Sequence, residues 1–145
     1  MKLHYIDPSA WIARHFDEAG SASINALFAS PIAAACSRLG FTEMIATVMR
    51  KSAGVSLPAS QTEKVLDAVR QDFAFFQVVP LDDLVYLESI RLILNHRLRT
   101  MDAIHLASAV TLNRSADVLL VSSDAELLTA AAAEQLATVN PLLMH

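Results

Sequence analysis

Val118-Leu119-Leu120-Val121-Ser122-Ser123-Asp124 reads as a strand followed by its exit. An unbroken apolar run of this length, with no polar alternation, describes a strand covered on both faces, as in the interior of a parallel sheet. Ser122-Ser123-Asp124 ends it, and Ala125 to Ala133 continues as a helix. Ser123-Asp124-Ala125-Glu126 fits a capping box with Ser123 as the cap. Asp124 therefore stands just past the carboxyl end of a strand, on the rim where parallel sheets build their sites.

Immediately upstream, Arg99-Thr100-Met101-Asp102-Ala103-Ile104-His105-Leu106-Ala107-Ser108-Ala109-Val110 predicts a buried helix, apolar on most sides and free of Gly and Pro. Thr100 is the expected N-cap, which puts Asp102 in the first turn. Asp102, His105 and Ser108 follow one another at three-residue spacing and form one narrow polar strip. Asp102 is the only acid between Glu88 and Asp117. Its structural explanation is that it complements the positive helix N-terminus. Its functional one is that several such carboxylates meet around a metal ion. His105 reads as a packed or hydrogen-bonded core histidine rather than a proton shuttle.

Further out, Leu3-His4-Tyr5-Ile6 reads as a strand, and Asp7-Pro8 opens a helix with Asp as N-cap and Pro first. Ser23 to Phe28 predicts a second helix, and Ile32 to Cys36 a second strand. Phe41 to Lys51 has helical periodicity. Glu43 lies off its apolar face and is the only acid between Glu18 and Glu63. After the loop Gly54 to Pro58, Ser60-Gln61-Thr62-Glu63 predicts a capping box. The helix that follows buries Val65, Leu66, Val69, Phe73 and Phe76. Gln77-Val78-Val79-Pro80 is a short strand, and Asp82 or Asp83 caps a helix carrying Leu87, Ile90, Ile93 and Leu94. Leu136 to Pro141 is the last strand, at an edge because of its Pro. Strands separated by helices predict an α/β fold: one domain over residues 1–145, a central, mostly parallel sheet, and helices on both faces.

Composition sets limits on function. Hydrophobic residues make up 54% of the 145, and mean hydropathy is +0.40. That is more than one such domain needs for its core and predicts a homodimer interface built from helix faces. No apolar run approaches the length of a membrane span. The opening Met1-Lys2-Leu3-His4-Tyr5-Ile6-Asp7 is too short and polar for a secretory signal. The single cysteine, Cys36, excludes an internal disulfide and fits a reducing cytoplasm. A net charge of −4 argues against a generic basic nucleic-acid binder, though carboxylates gathered around divalent cations would account for it.

Asp7, Glu43 and Asp124, like Asp102, each have a plain structural explanation as a helix start or a solvated residue. Taken together they suggest a cluster, which repulsion forbids unless cations offset it. Hard oxygen ligands, without cysteine or paired histidines, favour Mg²⁺, or Mn²⁺ in its place, over zinc. Such a site suits phosphodiester hydrolysis by metal-activated water.

Asp7-Pro8-Ser9-Ala10, Ser37-Arg38-Leu39-Gly40-Phe41-Thr42-Glu43, Asp102-Ala103-Ile104-His105-Leu106-Ala107-Ser108-Ala109 and Val121-Ser122-Ser123-Asp124 together resemble, in order, the motifs of PIN-domain nucleases. More narrowly they resemble VapC-type toxins of bacterial type II toxin–antitoxin pairs. The resemblance implies a three-layer PIN-like fold and a Mg²⁺-dependent endoribonuclease. Asp7 and Asp102 would be the firmest metal ligands, completed by Glu43 and Asp124, with Ser9 close to the metal. Pro8 and the Ser122-Ser123-Asp124 exit depart from the family's usual Thr or Ser and Thr-x-Asp. Arg99 and Arg38 are candidates for RNA phosphate contacts. The implied partners are RNA, a VapB-like antitoxin and a second copy of the chain, in the cytoplasm. The alternatives are a housekeeping RNA-processing nuclease without antitoxin, and a catalytically silent RNA- or protein-binding module.

Overall fold

A computed structural model describes residues 1–144. Five strands, β1 (Lys2–Ile6), β2 (Ala33–Ser37), β3 (Gln77–Val79), β4 (Asp117–Val121) and β5 (Ala137–Val139), form one sheet in the order β3-β2-β1-β4-β5. Every neighbouring pair is parallel. β1 is central, β4 lies beside it, and β5 is the edge strand its Pro-terminated sequence predicts. The register pairs Ile6 with Val121, so the residues after β1 and after β4 leave the sheet at the same height.

Alternation along the strands divides the core. Leu3, Tyr5, Ala35, Val118 and Leu120 pack on one face with α5 (Asp83–His96), α6 (Thr100–Leu112) and α7 (Ala125–Ala133). Ile6, Ala34, Cys36 and Val121 point the other way. They meet α1 (Pro8–Trp11), α2 (Ser21–Ala29), α3 (Arg38–Gly54) and α4 (Ala59–Phe75). This is the expected three-layer α/β architecture, with the sheet wholly parallel. α6 is the most deeply set helix, buried without a break from Ala103 to Ala109. Its alanines and Ser108 let neighbouring backbones approach closely. Among the described residues, no helix is long and apolar enough to cross a membrane.

Local differences from the sequence reading have identifiable causes. α3 begins at Arg38 rather than Phe41, because Ser37 caps it by accepting the Leu39 N–H. α4 begins at Ala59, with the Pro58 carbonyl accepting the Gln61 and Thr62 N–H groups. Ser60 is then already inside the helix, and the capping box does not form. Thr100 is the first residue of α6 and Arg99 its extended N-cap, which still leaves Asp102 in the first turn. On α5, Val85, Ser89 and Leu92 are buried, whereas Leu84, Leu87 and Leu94 are exposed.

Candidate active site

Two turns at the carboxyl ends of β1 and β4 are braced against each other. Asp7 is the N-cap of α1, with Pro8 at the first helical position, yet its side chain makes no cap hydrogen bond. Instead its Oδ2 accepts hydrogen bonds from the hydroxyls of Ser9 and, at 3.0 Å, Ser122. The same hydroxyls accept backbone N–H groups of the other turn: Ser123 to Ser9 and Asp124 to Ser122, each at 3.0 Å. Each serine therefore spends its proton on Asp7 and its lone pairs on the β4–α7 turn. That fixes the Asp7 rotamer and leaves Oδ1 turned toward His105, 3.8 Å from its Nε2.

Asp124 caps α7, its Oδ1 accepting the Glu126 and Leu127 N–H groups. The cap is thus Asp124 and not Ser123, because α7 begins at Ala125 and the Asp124 carboxylate reaches its first free N–H groups. Asp102 rises from the first turn of α6 and lines a hollow of about 310 Å³ with Arg99, Asp124, Ala125 and Glu126. Glu43, in the second turn of α3, reaches the ring of His105, with Oε1 2.5 Å from Nε2.

The electrostatics tie these acids together. Burial pushes the Asp102 carboxyl up, and the charges of Asp124, Asp7 and Glu43 push it further, against His105, to about 6. Burial likewise raises Asp7, with His105 and the two serine hydrogen bonds opposing it. Burial alone would lower His105; Glu43, Asp7 and Asp102 outweigh it and hold its pKa above the ordinary value. The carboxylates thus gather negative charge that one histidine only partly offsets.

Asp7, Glu43 and Asp124 are thus brought to one rim, each within electrostatic reach of Asp102. Ser9 is on Asp7 and Arg99 is beside Asp102. Arg38 stands exposed at the start of α3 and does not line that hollow. Among the described residues, no three His, Cys, Asp or Glu side chains form a ready-made coordination cage. The donor set nevertheless fits a hard divalent cation. It consists of carboxylate oxygens with unrelieved charge, and Mg²⁺ characteristically takes one or two carboxylates and keeps its waters.

Sequence reasoning missed Ser122 and Tyr5. Ser122 follows β4 as Asp7 follows β1, and the register sets them side by side. Tyr5 was hidden as an ordinary inward strand residue; its hydroxyl meets His105 Nδ1 at 2.7 Å. The one available signal is His105 itself, in the middle of a helix predicted to be buried.

The family model described as PIN domain matches residues 4–133. No individually curated protein matches by sequence. Among solved structures, a toxin–antitoxin complex from Klebsiella pneumoniae is similar, with TM-score 0.68 and 18% identity over 95% of this chain and 97% of that one. FitAcB from Neisseria gonorrhoeae aligns with TM-score 0.73 and 15% identity, over 97% of this chain and 99% of that one. Mycobacterium tuberculosis VapC20, a sarcin–ricin loop cleaving toxin, aligns with TM-score 0.66 and 15% identity, over 88% and 94%. At these identities the likeness is one of fold.

Proposed function

This chain belongs to the PIN domain family, and on that premise we propose that it is a Mg²⁺-dependent endoribonuclease, the toxin of a type II toxin–antitoxin pair. The observation that carries the reading is the gathering of Asp7, Glu43, Asp102 and Asp124 around His105 and the hollow beside α6, where burial first, and then the charges of Asp124, Asp7 and Glu43, push the Asp102 carboxyl up to about 6. Burying such charge at a rim is costly without a cation. The toxin assignment is supported by the similar structures, a toxin–antitoxin complex and an RNA-loop-cleaving toxin among them, whose lengths this chain nearly spans.

In this reading Asp7 and Asp102 hold the cation, and Glu43 and Asp124 complete its surroundings. Bound there, Mg²⁺ would activate water for attack on phosphorus and offset charge on the leaving oxygen. Ser9 and Ser122 keep Asp7 in one rotamer, so that Oδ1 stays available. Arg99, exposed beside Asp102, attracts a phosphate of the RNA that would otherwise be repelled by the acids. The exposed Leu84, Leu87 and Leu94 of α5 form an apolar stripe suited to pairing two copies of the chain. An antitoxin would act by covering or distorting the acidic rim.

Induction of the chain in cells, followed by mapping of RNA 5′ ends, tests the function. New 5′-phosphate ends at discrete sites, suppressed by co-expression of the protein encoded next to it, are expected. New ends that no neighbouring gene product suppresses would point to a housekeeping nuclease. A transcriptome without new ends would leave only a binding module.

A further inference from the structure

His105 lies at the centre of this site, is 1% exposed, and both of its ring nitrogens are engaged. Resting on the metal-site reading above, we propose that His105, set in place by Tyr5, is the positioning residue that draws Glu43 into the acid cluster. The Tyr5 hydroxyl accepts the Ser37 backbone N–H at 3.0 Å and lies 2.7 Å from His105 Nδ1. Tyr5 can therefore donate its own proton to Nδ1 while its oxygen remains an acceptor. On the other side of the ring, Nε2 stands 2.5 Å from Glu43 Oε1 and 3.8 Å from Asp7 Oδ1. A bare nitrogen lone pair could not sit against two carboxylates, so Nε2 carries a proton and donates it to Glu43.

Glu43 needs this anchor. Its side chain is 35% exposed, long, and otherwise free to extend into water. The ring edge, by contrast, cannot move, because it is buried and tied at Nδ1 through Tyr5 to the start of α3. Gly40, one turn before Glu43, lets α3 seat against the ring. A Cβ there would overlap Cys36 Sγ and come within 3.3 Å of His105 Cε1. The chain Ser37–Tyr5–His105–Glu43 thus runs from strand end to helix face, and its final member is a proposed metal ligand.

A histidine that merely fills the core would need only its Tyr5 bond, and two substitutions separate the roles. His105→Asn keeps a polar group near the Nδ1 position but cannot reach Glu43. His105→Gln places an amide N–H near the Nε2 position. Mg²⁺ binding is read by calorimetry on the full chain without RNA. His105→Asn is expected to weaken binding roughly tenfold or more, and His105→Gln to leave it nearly unchanged. Parent-like binding by both variants, or equal loss in both, overturns the inference. Asp102→Asn serves as the control. If it binds Mg²⁺ like the parent, the metal site fails and this inference with it. If it loses binding while His105→Asn does not, the positioning role alone fails. Should His105→Asn not fold, ¹⁵N spectra of the histidines in the unaltered protein decide: a proton on Nε2 is expected, and a bare Nε2 overturns the inference.

Discussion

Asp102→Asn should make the metal-free protein more stable at neutral pH while abolishing RNA cleavage. The Asp102 carboxyl is pushed up to about 6 by burial, Asp124, Asp7 and Glu43, against about 3.9 in an unfolded chain. A gap of about 2 units corresponds to roughly 3 kcal/mol at full weight. Asp102 is only partly buried, so screening by water cuts this to about half. Losing a charge in the first turn of α6 returns about 0.3–1 kcal/mol. The variant should therefore gain roughly 1 kcal/mol, or about 3 °C in Tm for a chain of this size. The sign follows from linkage. Between the unfolded and folded pKa values the unfolded chain loses its proton first, so the parent's stability falls as pH rises through about 4 to 6. The variant's advantage should be absent below about pH 3, where both states of the parent are protonated, and complete above about pH 7, where both are ionised. Thermal melts in EDTA across this range, repeated with Mg²⁺, read the effect, and Mg²⁺ should raise the parent's Tm far more than the variant's. A variant that melts lower at neutral pH in EDTA yet still cuts RNA would refute the reasoning and reduce Asp102 to a helix-start residue.

Asp72 is buried and accepts hydrogen bonds from Trp11 Nε1 at 2.9 Å, Arg14 Nε at 2.9 Å and His15 Nε2 at 2.7 Å. Burial pushes its carboxyl up, but the bonds from His15, Arg14 and Trp11 outweigh that and hold it below the usual range. Asp72→Ala should cost roughly 3 kcal/mol at neutral pH. Because the folded pKa is depressed, the gap to the parent should close as pH falls from about 4 through that value, which urea melts at graded pH would follow. Gly40→Ala should cost about 1–3 kcal/mol by overpacking, and Cys36→Ala in the same chain should recover part of it, in chemical denaturation of all four combinations. Leu87→Glu, on the exposed stripe of α5, should convert a homodimer into monomer in sedimentation without lowering Tm of the monomeric fold. A parent that sediments only as monomer would remove the dimer.

The parts of this fold legible in the sequence were those written in periodicity. Val118–Val121, Leu3–Ile6 and the uninterrupted Arg99–Val110 helix each carry a pattern strong enough to survive tertiary context. The parallel order follows from the helices between the strands. The acids were visible because Asp7 and Asp124 follow strands, and because Asp102 and Glu43 stand alone in stretches without other acids. What the pattern hid were choices made by long-range partners. Both Ser123 and Asp124 are capping residues by type, and only the start of α7 at Ala125 shows that Asp124 is the one that caps. α5 is apolar on two faces, and only the packing against α6 shows that Val85 and Leu92 point inward while Leu87 and Leu94 do not. Nothing local marks Asp72 or Tyr5, because their partners Trp11 and His105 lie 61 and 100 residues away.

The central claim is that the acidic rim around Asp7 and Asp102 uses a divalent cation to hydrolyse RNA. Cleavage of a mixed RNA by the purified chain, with Mg²⁺ titrated in from an EDTA-treated start and Asp7→Asn run in parallel, tests it most directly. The account predicts discrete 5′-phosphate products that appear with Mg²⁺, vanish in EDTA, and are absent from Asp7→Asn even though that variant remains folded. Equal cleavage in EDTA, or undiminished cleavage by Asp7→Asn, would contradict it.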